Sequence, residues 1–382
     1  MYQGLYRFIL ASMVVYAHLL PNVADVGKAA VAGFFMLSGF LVTRIVNGRY
    51  SDGVRGFGIF VLNRALRIYP TFWVCLAFAF AAIALFPAVA ANTNPRMVLT
   101  SDIGEIAKQI LIFGQLGPEG RAPVGWISVG WSLSVELVYY LLIATVLGRS
   151  KIATALWLVF GIGTMVYAIG NLGLDEAYFS YLYITLVFAI GAALHHFGEW
   201  FDKVFSLIAT KGSPKAAIAA IGLLLVYVFW QEPIGIYIYL ETRSMEEIAR
   251  VLPLDSIWIF YGTLPFAAFA MWATLAVRVD DSSVLTGTKL AKVSEYLGEL
   301  SYPVFLLHFA MLILVTGLLG GSGGQGPERV LWHSLVAIPL VYILAMLVVR
   351  FVEQPVQRLR DKVRDLTDGK AADPRIKNVH VP

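Results

Sequence analysis

Long apolar runs, broken by short charged or Pro/Gly-rich connectors, set the pattern of this chain from end to end. A run of about 20 apolar residues is what an α-helix needs to cross a hydrocarbon core about 30 Å thick. The pattern predicts ten such helices, over residues 5–21, 29–46, 68–87, 127–147, 152–170, 178–196, 216–233, 256–277, 298–319 and 330–350. The fold class that follows is an all-α polytopic membrane protein. Residues 1–355 are expected to form one membrane domain and 356–382 a short charged tail. No internal repeat of the kind that marks many transporters is visible.

The connectors differ in character. Residues 88–126 form the longest and hold polar and Pro/Gly-rich pieces, ANTNPRM and GPEGRAPVG. Residues 234–255 mix charges of both signs in ETRSMEEIAR. GGSGGQG, residues 320–326, lacks the Gly-Lys-Ser/Thr of a phosphate loop and reads as a flexible turn. The tail, QRLRDKVRDLTDGKAADPR, reads as a solvated segment or one lying along an anionic membrane surface.

Composition strengthens the membrane reading. Of the 382 residues, 58% are hydrophobic and 14% charged, where a soluble protein averages about a quarter charged. The mean hydropathy is +0.73. The pI near 9.0 follows from the excess of Lys and Arg in inner loops, so it does not imply a nucleic-acid partner. With ten alternating spans and the N-terminus inside, only Lys28, Arg96, Lys108, Arg121, Arg243, Arg250 and Arg329 of the 29 Lys and Arg fall outside. Both ends of the chain are therefore expected on the cytoplasmic side. The single cysteine, Cys75, sits in an apolar run, which excludes an intramolecular disulfide and suggests an inert buried thiol. The N-terminal stretch has some look of a signal peptide. His18 interrupts its core, however, and no small-residue cleavage site precedes Pro21, so a retained first span is expected.

Ionisable residues inside spans carry the chemistry, since each costs several kcal/mol unless paired or hydrated. The stretch RFILASMVVYAH has Arg7 at one end and His18 at the other. Eleven helical steps bring the two within about 20° of each other, with about 16.5 Å of axial rise between them. WSLSVELVYY places Glu136 in an apolar helix, and SYPVFLLHF adds Ser301, Tyr302 and His308. His18, Glu136 and His308 are expected at similar depth, in reach of one polar cavity. Plainer readings stand beside this: a span histidine bonded to a neighbouring helix, or Glu136 as partner of an intramembrane Arg or Trp. His195 and His196 fall at a span end, where interfacial placement is enough. NRALRIYP sets Arg64 and Arg67 three apart on one helical face, a geometry suited to phosphates and equally to a basic flank. In FFMLSGFLVTR, close helix packing through Ser38–Gly39 outweighs a nucleophilic Ser38. No metal site is read.

Taken together these stretches resemble the membrane-bound acyltransferase family 3. Arg7 and His18 match its Arg-x10-His signature, and FFMLSGFLVTR its second-helix FFxxSGF pattern. NRALRIYP is similar to its Arg-x-x-Arg-Ile-x-Pro stretch and WSLSVELVYY to its Trp-Ser-Leu-x-x-Glu segment. SYPVFLLHF is similar to its late Ser-Tyr segment ending in His, and FVEQP to its terminal Glu-x-Pro. The six patterns occur in family order over residues 7 to 355.

The resemblance implies transfer of an acyl group, commonly acetyl, from cytoplasmic acyl-CoA to a hydroxyl on a cell-surface carbohydrate or glycolipid. His18 would be the catalytic histidine, with Arg7 its partner and Glu136 a further catalytic candidate. Arg64 and Arg67 would bind acyl-CoA, and Ser38, Ser301, Tyr302 and His308 would support the substrates. Acetyl-CoA would be a co-substrate, with no bound cofactor, in the cytoplasmic membrane of a bacterium. There are two departures. Many members carry a basic residue just before the first Arg of the span-3 stretch, where this chain has Asn63. Some also carry a hydrolase-like domain after the membrane part. This chain ends about thirty residues past the last expected span, so transfer is expected to be completed within the membrane domain. Two other classes compete: a glycan or lipid transporter using a midplane His/Glu relay, and a non-catalytic subunit of a polysaccharide complex.

Overall fold

The computed structural model describes residues 3–20, 26–50, 53–116, 125–252, 257–276, 286–324 and 331–368, and among these there are helices and no strand. In chain order they are α1 (Gln3–Leu19), α2 (Val26–Gly48), α3 (Gly53–Leu85), α4 (Pro87–Thr93), α5 (Ile103–Leu111) and α6 (Gly130–Leu142). Next come α7 (Lys151–Asn171), α8 (Leu174–Tyr178), α9 (Thr185–His196), α10 (Gly198–Phe205), α11 (Pro214–Phe229), α12 (Gln231–Thr242) and α13 (Met245–Val251). The last four are α14 (Ile257–Ala276), α15 (Thr286–Leu318), α16 (Leu331–Val348) and α17 (Gln354–Asp368). A π-helical turn, Ile143–Leu147, extends α6, and a second, Val349–Glu353, joins α16 to α17.

Among the described residues, eight helical segments are long and apolar enough to cross a membrane: α2, α3, α6 with its π turn, α7, α11 with α12, α14, α15, and α16 with α17. The chain is an all-α multi-pass membrane protein. The first and sixth expected spans correspond to α1 and α9, which at 17 and 12 residues are shorter. Between the apolar runs, polar residues start the helices. The side chains of Asp102, Ser150, Ser213 and Ser244 each accept from a backbone N–H three residues on.

Small residues let the helices around the site touch. A Cβ built on Gly4 would stand 1.8 Å from the carbonyl oxygen of Ser294, so α1 and α15 meet backbone to backbone there. Gly39 and Gly191 do the same for α2 and α9, where a Cβ would lie 2.3 Å from Phe188 O and 2.0 Å from Met36 O. Gly39 thus takes the packing role foreseen for the Ser38–Gly39 pair.

Three features depart from the sequence expectation. First, α3 starts at Gly53 rather than near residue 68 and passes through Pro70. Its polar first half is held by burial: Phe60 is 1% exposed and Asn63 2%, against α6 and α17 respectively. Second, the 88–126 connector does not stand clear of the bundle. The Tyr69 hydroxyl donates to Leu111 O (2.7 Å) and the Trp73 indole N–H to Ile110 O (3.0 Å). Those carbonyls end α5 and lack helical partners, so α5 folds back along α3 to the level of Tyr69, about 24 Å from Leu85. Third, the charged tail is helical through Asp368 and packs on α3, with Arg360 only 6% exposed. Residues 369–382 lie outside the described residues, as do 117–124 of the long connector.

Candidate active site

Five helices, α1, α2, α3, α6 and α15, surround a cavity of about 100 Å³. Each contributes at least one polar side chain that its sequence pattern made conspicuous. Arg7 enters from α1, Ser38 from α2, Arg64 and Arg67 from α3, Ser132, Glu136 and Tyr140 from α6, and Ser301 and Tyr302 from α15. Glu136 and Tyr140 are four apart and so share one face of α6. Glu136 Oε1 accepts from the Tyr140 hydroxyl at 2.5 Å and from Ser38 Oγ. A carboxylate here is held by two hydroxyl donors from two helices, which stiffens the polar wall.

Arg64 sits over aromatic rings, its guanidinium carbon 5.7 Å from the ring centroids of both Phe60 and Tyr140. Its Nε is buried and has no hydrogen-bond partner among the described residues. The Tyr302 hydroxyl donates to Ile68 O (3.1 Å), which ties α15 to α3 beside the arginines. Ser301 Oγ donates to Gly298 O of its own helix (2.6 Å).

His18 and His308 do not line this cavity. They pair with each other, His18 Nδ1 to His308 Nε2 at 3.0 Å, with nearly parallel rings (6°) and Phe309 against both. His308 is fully buried, and its Nδ1 lies 2.8 Å from Phe305 O. A carbonyl only accepts, so His308 Nδ1 carries the proton. In the neutral pair, His308 Nε2 then accepts from His18 Nδ1–H, and the lone pair of His18 sits on Nε2.

The expectation of one cavity shared by His18, Glu136 and His308 is therefore corrected. Glu136 stands with Ser38 and Tyr140; the histidines form a separate pair. Phe305 lies between Tyr302 and His308 along α15, and with Phe34, 5.8 Å away, it walls the cavity on that side. The long rise along α1 from Arg7 to His18 is the reason.

A second cavity of about 230 Å³ opens between α1, α3, α15 and α17, and shares Arg7 and Arg67 with the first. Thr71, Glu299, Glu353, Arg360 and Arg364 are among its walls, and Thr71 Oγ1 donates to Glu353 Oε1 at 3.2 Å. Tyr140 escaped sequence reasoning, although its i+4 spacing from Glu136 was visible. Arg360 escaped it too, because a basic residue in a charged tail gives no sign of burial. His196 sits elsewhere, with Nε2 2.9 Å from Gly148 O.

Half-buried arginines beside a carboxylate–hydroxyl cluster, within an all-α membrane bundle, define a polar chamber inside a membrane protein. The sequence profile described as "Acyltransferase domain" matches residues 5–350, and the chain belongs to that family. Acyltransferase MdmB of Streptomyces mycarofaciens is 25% identical over 375 residues, which cover 93% of this chain and 87% of that protein. O-acetyltransferase OatA of Staphylococcus aureus is 22% identical over 377 residues, which cover 93% of this chain. The match spans 56% of OatA, little more than half its length. No solved structure is matched significantly. The chain is an acyltransferase of the membrane.

Proposed function

We propose that the protein moves an acyl group, in the first instance acetyl, from acyl-CoA to a hydroxyl of a cell-surface carbohydrate or glycolipid. It acts in a bacterial cytoplasmic membrane, with both ends of the chain on the cytoplasmic side. The observation that carries this reading is the convergence of Arg7, Arg64 and Arg67 on one cavity. Guanidiniums gathered inside a membrane bundle call for an anion, and an acyl-CoA brings phosphates on a long thin arm that ends in the thioester. Acetyl-CoA is a co-substrate in this reading, and no resident cofactor is needed.

His18 is the base. As the acceptor oxygen attacks the thioester carbonyl carbon, His18 Nε2 takes the hydroxyl proton, a C–O bond forms and the C–S bond breaks. The thiolate of CoA leaves and recovers the proton from the imidazolium. In a second route Nε2 attacks the carbonyl carbon and the C–S bond breaks, releasing the CoA thiolate. The acceptor oxygen then attacks the acyl-imidazolium, the C–N bond breaks, and the hydroxyl proton passes to the thiolate. His308 orients the ring in both. Glu136, bonded to Ser38 and Tyr140, fixes the polar wall along which the donor arm runs, and Phe34 with Phe305 keeps water from the thioester.

The test uses membranes carrying wild type or His18→Ala at matched expression, supplied with radiolabelled acetyl-CoA. Label is expected in extracted glycolipid or polysaccharide with wild type and is expected to vanish with the variant. Equal labelling from both removes His18 from the mechanism. No labelling from wild type with any acyl-CoA overturns the reading.

A further inference from the structure

In the span-3 stretch Asn63 stands directly before the first arginine, Arg64, where the family resemblance implied a basic residue. Asn63 is buried, and its side chain holds a cation brought from elsewhere. Arg360 Nε and Nη2 donate to Asn63 Oδ1 at 3.4 and 3.3 Å, and Asn63 Nδ2 donates back to Arg360 O at 3.2 Å. Arg360 Nη1 donates to the amide oxygen of Gln357. The guanidinium is thus oriented by two neutral amides and, among the described residues, forms no ion pair. A buried guanidinium held directly only by neutral groups, with Glu353 acting on it from beyond ion-pair distance, is costly, which a purely structural role leaves unexplained.

Arg360 faces the second cavity, together with Arg7, Arg67 and Arg364. Glu295, Glu299, Glu353 and Asp361 line it too, with Asp361 accepting from Arg364 and Glu353 from Thr71. A lining of both cations and carboxylates suits a ligand that carries phosphates as well as hydroxyl and amino donors. That is a nucleotide rather than a bare phosphate. Arg7 and Arg67, common to both cavities, mark the passage from this one to Ser38 and Glu136.

We propose that the second cavity holds the phosphorylated nucleotide head of the acyl donor, and that Arg360 supplies from α17 the cation absent at Asn63. The assignment rests on the acyl-CoA reading above. It makes the C-terminal helix part of the donor site, and the arm of the donor runs inward between Arg7 and Arg67.

Two readouts on the full chain test it. In steady-state assays Arg360→Gln raises the KM for acetyl-CoA about tenfold, with a much smaller effect on kcat. Adding Asn63→Lys recovers most of the loss by restoring a cation at the family position. The second readout works if that substitution disturbs folding. Val356→Cys places a thiol in the cavity wall, and the one native cysteine, Cys75, is fully buried. Adenosine 3′,5′-bisphosphate, the nucleotide head without its thiol arm, is expected to slow maleimide labelling of Val356→Cys. Inorganic phosphate at equal concentration is not. An unchanged KM in a folded Arg360→Gln protein, absent protection by the bisphosphate, or equal protection by phosphate each overturns the assignment. If wild type turns over acetyl-CoA while these results are negative, only the nucleotide site falls. If wild type neither consumes acetyl-CoA nor responds to the bisphosphate, the acyl-CoA reading falls with it.

Discussion

His18 and His308 face each other across α1 and α15 with Nδ1 and Nε2 3.0 Å apart, and Phe305 O fixes the proton on the far nitrogen of His308. In the proposed mechanism His308 therefore acts on the chemistry only through the orientation of His18. His308→Ala is expected to lower kcat about 10- to 100-fold, less than the loss of a general base, with little change in the KM for acetyl-CoA. His308→Gln retains an acceptor for the His18 N–H and is expected to keep more activity. Steady-state kinetics at matched expression check this, and equal losses in the two variants would point to packing alone.

Gly39 and Gly58 make opposite predictions from the same substitution. A Cβ on Gly39 would lie 2.3 Å from Phe188 O, a backbone atom that moves only if α9 moves. Gly39→Ala is expected to destabilise by about 1–3 kcal/mol. A Cβ on Gly58 of α3 meets nothing within 4 Å, so Gly58→Ala is neutral or slightly stabilising through helix propensity. Thermal unfolding in detergent separates the two, and similar shifts would contradict the α2–α9 contact.

The spans were legible because a bilayer demands long uninterrupted apolar runs, and α2, α7 and α14 read directly from them. The candidate site residues stood out for the same reason inverted: Arg7, Glu136 and His308 are polar where lipid would forbid it. Depth was readable along one helix, from Arg7 to His18 of α1, but neither relative depth between helices nor partners were: Glu136 lines the cavity of Arg7, not the site of His18. Whether His18 meets Glu136 or His308 depends on which helices touch, and that is decided by glycines such as Gly4 and Gly298 meeting backbone. Arg360 and α5 were misjudged because polar sequence outside a span looks alike whether it is solvated or folded back. Only tertiary contacts, Asn63 for the one and Tyr69 with Trp73 for the other, distinguish them.

Asp202 of α10 gives a pH-dependent term outside the spans. Trp272 Nε1 donates to its Oδ1 at 2.7 Å, and Lys211 forms an ion pair with Oδ2. Burial opposes ionisation of Asp202, but the bonds from Lys211 and Trp272 outweigh it and hold the pKa below the ordinary carboxylate value. A pKa lowered on folding adds stability above the unfolded value, about 4, and that stability is lost as pH falls through the folded value. The melting difference between wild type and Asp202→Asn is therefore expected to be largest near neutral pH and to close below about pH 4. The side chain is 31% exposed, so the difference is small and shrinks in high salt. A difference independent of pH would assign it to packing.

Phe305 separates the arginine-lined cavity from the histidine pair, and its two jobs can be separated by mutation. Its ring walls the cavity beside Phe34, while its carbonyl, which any residue would supply, holds His308 Nδ1. Phe305→Ala removes the wall and keeps the carbonyl, so His18 remains oriented while water gains a path to the thioester. Release of free CoA without acceptor is expected to rise about tenfold, and acyl groups transferred per CoA released to fall. Phe305→Leu, which refills most of the volume, is expected to stay near wild type. Losing a buried phenyl ring costs about 3–5 kcal/mol in soluble cores, so the variants are compared well below their melting temperatures, with thiol titration run beside label transfer. If a folded Phe305→Ala protein releases CoA without acceptor no faster than wild type, the ring does not shield the thioester, and the donor reaches His18 by a path that does not cross it.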